Sequence, residues 1–119
     1  MESDIRGALT AAMKAAMKLR DREALSVYRT ALAAIANAEA VTAGAEHRAG
    51  AIEASAVGVG AAEVERRALT EPEIAEIVRH EITDRHATAS TIRAATAAPA
   101  AAAERLEREA ALLEAVLDR

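Results

Sequence analysis

No cysteine, phenylalanine or tryptophan occurs in this chain, and Tyr28 is its one aromatic residue. Without cysteine there can be no disulfide framework and no thiolate metal site, a pattern that fits a cytosolic protein. Without interleaved aromatics there is no platform on which unpaired nucleic-acid bases could stack. No apolar run approaches the ~20 residues of a membrane-spanning helix. The start, Met1 to Arg6, is polar and acidic and lacks the apolar centre of a signal peptide. The expectation is a cytoplasmic protein with no membrane role.

What the chain has in abundance is alanine. At 119 residues it suits one small domain, and such a chain can bury roughly two thirds of its unfolded surface. Alanine has the highest helix propensity but adds little buried area. Leu, Ile, Val and Met residues supply the larger apolar groups. These properties predict helices that approach closely, near the ~8 Å end of the usual range. The net charge of -4 argues against non-specific nucleic-acid binding by the whole surface, and no DNA role is expected.

Periodicity predicts an all-α fold: two antiparallel helical hairpins, four helices in all, joined by a long glycine-containing loop. The first helix is expected over about 4–19, capped by Ser3 with Asp4 in its first turn. Ile5, Leu9, Ala12, Met13, Ala16 and Met17 share one face, and Gly7 weakens the first turn. Asp21 can cap a second helix over 22–41, whose apolar face is Leu25, Tyr28, Leu32, Ile35 and Ala36. The connection is only a few residues long, which makes the two helices antiparallel neighbours.

From 42 to 69 the pattern lapses, punctuated by Gly44, Gly50, Gly58 and Gly60, and a loop is expected. Ile52, Val57, Val59 and Val64 argue that it packs rather than dangles. Thr70-Glu-Pro-Glu73 then has capping-box spacing, with Pro72 in the first turn. A third helix is expected over 71–96, carrying Ile74, Ile77, Val78, Ile82, Ala89 and Ile92. Pro99 interrupts it. The fourth, over 100–118, repeats Leu106, Ala110, Leu113 and Leu117 at coiled-coil spacing. An exposed stripe of Leu106, Leu113 and Leu117 would make a partner surface, and an oligomer is compatible with it.

No catalytic constellation emerges. Glu76 and His80 lie one turn apart on the third helix, near His86, and could hydrogen-bond or share a metal. No third ligand stands at credible spacing, so an ordinary charged helix face is the plainer reading and no metal or cofactor is expected. The serines lack a nucleophile-elbow or Ser-x-x-Lys context. Gly58-Val-Gly60 lacks the lysine and preceding strand of a phosphate loop. Glu104 and Arg108 have the spacing of a solvated i,i+4 pair. The basic set Lys14, Lys18, Arg20, Arg22 and Arg29 has more substance, since only Asp21 and Glu23 oppose it locally. Such a patch can hold RNA phosphates, and the alternative is a solvated helix end.

Three blocks carry a family resemblance: Ala12–Val41, with a core at Leu25–Glu39; Leu69–Ile82; and Ala103–Leu117. In this order they resemble the YqeY-like family, whose fold recurs at the tail of the GatB subunit of tRNA-dependent amidotransferases. The insert Gly50–Arg67 is similar to the form in high-GC bacterial members. The resemblance implies an all-helical, cytoplasmic, bacterial protein, and in the amidotransferase subunit the related tail contacts tRNA; the acidic balance and the stripe on the fourth helix point instead to a protein partner. The resemblance also implies a label of carbon–nitrogen ligase with glutamine as amido donor, for which these residues offer no catalytic group. Family members continue beyond the equivalent of Leu117 into a smaller helical subdomain, whereas this sequence is a short form that stops at Arg119.

Overall fold

The computed structural model describes residues 4–53, 69–95 and 100–119, with side chains described for all of these except 42–53. Among them are four helices, α1 (Ile5–Leu19), α2 (Arg22–Glu53), α3 (Glu71–Ala94) and α4 (Ala100–Asp118), and no strand. The all-α expectation holds.

Cap chemistry sets the helix starts. Asp4, rather than Ser3, is the N-cap of α1, and its carboxylate accepts from the Gly7 N–H at 2.6 Å. Gly7 has a purpose here: a Cβ at this position would lie 2.6 Å from Asp4 Oδ1. The glycine that lowers helix propensity therefore admits the cap. Asp21 Oδ1 accepts from the Ala24 N–H at 3.1 Å and starts α2. Thr70 and Glu73 form the reciprocal capping box of α3, with bonds of 3.2 and 2.8 Å. That helix ends at Ala94, two residues before the expected Thr96.

Helix α2 overturns part of the loop expectation. It continues past Val41, through Gly44 and Gly50, to Glu53. Each glycine costs about 1 kcal/mol relative to alanine, but Ala43, Ala45, Ala49 and Ala51 surround them and favour the helix. The remainder of the expected loop, 54–68, lies outside the described residues, and so do Val57, Val59 and Val64.

Ion pairs between the helices of each hairpin show its direction. Arg6 on α1 pairs with Glu39 on α2, far from the turn at Arg20 and Asp21, so the two helices run antiparallel. Arg93 meets Glu107, and Arg85 meets Glu109, so α3 and α4 are antiparallel too. One core joins the hairpins. Leu9 from α1, Val27 and Ile35 from α2, Val78 from α3 and Leu113 from α4 are its largest fully buried side chains. Ala31 and Ala110 are also fully buried in it. Side chains that small let neighbouring backbones come together without a void.

Two apolar assignments change. Met17 stands exposed, although it shares a face by spacing with Met13. It lies one residue past Ala16, where α1 approaches its end and the core falls away. Leu113 is wholly buried against its own chain, so it belongs to the core and not to a partner surface. Leu106 and Leu117 are half-buried. With Leu113 taken by the core, Leu106, Leu113 and Leu117 do not make the continuous exposed stripe expected on α4.

Candidate functional site

Two charged regions stand out. One is saturated with internal partners, and the cations of the other have none among the described residues.

The saturated region lies between α3 and α4. Glu109 is the one buried charged residue among those described. Its carboxylate takes Arg85 Nε at 3.1 Å on one oxygen and Arg105 Nε at 3.1 Å on the other. Arg85 also reaches the Glu81 side chain at 2.9 Å and its carbonyl at 3.0 Å. Burial of charge is tolerated because every partner is in place. Next to it, His86 Nδ1 lies 2.7 Å from Glu107 and Nε2 lies 3.4 Å from Glu114. Only the imidazolium can donate at both nitrogens. The bond to Glu114, then that to Glu107, raises the His86 pKa above its ordinary 6.5.

The carboxylates bracket opposite edges of the ring, so they clamp an imidazolium and do not converge on an ion. The Glu76–His80 contact that the spacing allows is not made. Glu76 pairs with Arg79 at 2.8 Å, and His80 with Asp84 at 3.3 Å. Among the described residues no three His, Asp or Glu side chains gather as ion ligands, and no helix is long and apolar enough to cross a membrane.

The unpartnered region is the turn between α1 and α2. Lys14, Lys18, Arg20, Arg22 and Arg29 are all exposed there. None of their side chains has an ion-pair or hydrogen-bond partner among the described residues. Elsewhere the arginines are engaged: Arg6, Arg79, Arg85, Arg93, Arg105 and Arg108 each meet a carboxylate. Lys14 and Lys18 stand one turn apart on the α1 face opposite Leu9 and Ala16. Arg22 and Arg29, two turns apart, lie on the outer face of α2.

Local carboxylates are otherwise occupied. Asp21 caps α2. Glu23 is held by Arg108, whose Nε and second terminal nitrogen reach its two oxygens at 3.1 and 3.2 Å. Arg108 thus crosses to the other hairpin and leaves its expected pairing with Glu104.

The backbone at the turn carries a further signal. Arg20 is the one described non-glycine residue with positive φ, at 58°. Its N–H donates to Met17 O at 3.1 Å and the Asp21 N–H donates to Ala16 O at 2.9 Å. This is the Schellman pattern, in which glycine is the usual residue. An arginine there costs about 1 kcal/mol. Arg22 opens α2 at the positive end of its dipole, again the less favourable end for a cation. Sequence reasoning found all five cations; it missed that Arg20 adopts the left-handed conformation and that Arg108 removes Glu23 from the patch.

Two depressions flank these regions. One, of about 410 Å³, is lined by Arg22, Leu25, Ser26, Arg29 and Thr30. A wider groove of about 650 Å³ runs between α2 and α3, lined by Ala38, Val41 and Ile77 together with Glu76, His80 and Glu81. Leu19, at the end of α1, is exposed like Met17. No family model, curated protein or solved structure matches the chain.

Proposed function

We propose that this protein is a non-catalytic helical module that docks structured RNA through the α1–α2 turn. One observation carries the reading. The five cations of the turn have no partner among the described residues, while the other described arginines are satisfied within the fold. Arginines placed at a left-handed position and at a helix N-terminus break local preferences twice in three residues. Departures of this kind concentrate where function demands them. The resemblance to the YqeY-like family supports tRNA as the RNA. It also supports a role accessory to glutamine-dependent amido transfer whose chemistry belongs to another chain.

Gel-shift titration with bulk tRNA at two salt concentrations tests this. With five cations engaged, the salt dependence has a slope near −4, so a fourfold rise in salt weakens binding roughly several-hundredfold. Absence of binding at low salt ends the proposal. A second reading, a protein-docking module, draws on Met17 and Leu19, which are 51% and 78% exposed beside the same cations. Met17→Ser with Leu19→Ser separates the two: tRNA binding persists in the first reading, and partner capture is lost in the second.

A further inference from the structure

The depression on the outer face of α2 gives the RNA reading a more specific ligand. Arg22, Ser26 and Arg29 recur at four and three residues, so they stand in one row along the helix. The rise between the two arginines is about 10.5 Å. Thr30 and Leu25 complete the lining. Every polar side chain in this row can donate a hydrogen bond, and no carboxylate lines it.

The hydroxyls add a second observation. Within helices, Ser and Thr commonly bond back to a carbonyl one turn earlier. Thr10 does so to Arg6 O at 2.9 Å and Thr91 to Ala87 O at 3.1 Å. Ser26 and Thr30 form no such bond, and neither has another partner among the described residues. Two guanidinium groups and two free hydroxyls therefore face outward around one shallow recess.

Resting on the RNA reading above, we infer that this row seats the phosphodiester backbone of double-helical RNA, and that the protein does not bind single strands preferentially. Single-strand binders hold a flexible backbone by stacking its bases on aromatic rings. Here the sole aromatic in the whole chain, Tyr28, is buried. Double-stranded RNA is held by shape and by phosphate and 2′-hydroxyl contacts, which use the donors present. Lys14 and Lys18 supply a second row on the adjoining antiparallel helix. Both rows are fixed on helices, so they suit a ligand whose phosphates are themselves held at fixed spacing. Recognition is by backbone, without base readout.

Fluorescence anisotropy tests the inference with three probes: bulk tRNA, a blunt RNA duplex of about 20 base pairs, and oligouridine matched in phosphate number. The expected result is that duplex competes with tRNA at least tenfold better than oligouridine. If tRNA binds and oligouridine competes as well as duplex, the inference falls while the RNA reading stands. If tRNA does not bind at all, the RNA reading itself fails. Arg22→Gln with Arg29→Gln should weaken duplex binding about tenfold and reduce the salt slope by about two. Ser26→Ala with Thr30→Val should weaken it by a smaller factor without changing the slope. Both double variants alter exposed side chains, and circular dichroism verifies their helicity. Unchanged duplex affinity in the arginine variant overturns the assignment of this row.

Discussion

The backbone N–H of Ile5 donates to the Glu71 carboxylate at 2.6 Å, joining the first turns of α1 and α3 across 66 residues of sequence. A helix start leaves several N–H groups without partners, and α1 fills one from its own Asp4 and another from the opposite hairpin. Glu71→Ala should lower stability by about 1 kcal/mol in urea unfolding. It should also speed amide exchange at Ile5 without affecting the Thr70–Glu73 box. Unchanged exchange at Ile5 would show that the bond does not form in solution.

Arg20→Gly should have opposite effects on two properties. It relieves the left-handed backbone and adds about 1 kcal/mol of stability. It also removes one cation from the turn, so tRNA binding should weaken and lose about one unit of salt slope. Thermal melts and anisotropy on the same preparation read both. A variant that gains stability and keeps full affinity would remove Arg20 from the interface.

Leu113 is now a core test. Leu113→Ala should cost about 2–5 kcal/mol, and Leu113→Glu should prevent folding. Light scattering and circular dichroism distinguish that outcome from the loss of an oligomer with a folded chain, which the buried position does not allow.

Glu109→Ala leaves Arg85 and Arg105 without their shared carboxylate and should cost about 3 kcal/mol. Replacing Arg85 and Glu109 together with methionine should recover part of it, because the buried pair is gone but Glu81 loses Arg85 and Arg105 loses its carboxylate. A double variant as unstable as Glu109→Ala would mean that packing, not charge, accounts for the loss.

His86 makes stability depend on pH. Its folded pKa is raised above 6.5 by Glu114 and Glu107. The clamp therefore contributes fully below about pH 6.5 and fades as pH rises through the raised folded value. The ring is 44% exposed, so the effect is modest. His86→Gln should lie closest to the parent in melting temperature above that window and fall behind at pH 5.5. A gap that stays constant from pH 5.5 to 9 would contradict the clamp.

How much of this was legible in the sequence depends on the range over which each signal acts. Asp21 and the Thr70–Glu73 box announce helix starts through neighbours three residues away, and both stand as read. The five cations were legible because they are consecutive along a hairpin. Gly44 and Gly50 misled, since breaker residues were weighed without the alanines around them. Met17 and Leu113 misled in opposite directions, because a face defined by spacing does not reveal where the neighbouring helices stop. The partners of Arg108 and His86, and the pairing of Arg85 with Glu109, were invisible, since pairing over 21 to 85 residues follows from the fold and leaves no local pattern.

The alanine surfaces of α3 and α4 have one consequence for alignment. Ala89, Ala103 and Ala110 are all fully buried, and methyl groups so alike offer little to tell one helical turn from the next. Apolar contact alone would let the two rods slip lengthwise by a turn at modest loss. The pairing of Arg85 with the buried Glu109 supplies the stop, since a slide of one turn parts the two and leaves a buried carboxylate short of its cation. Grease holds this hairpin shut, and electrostatics tells it where to stop.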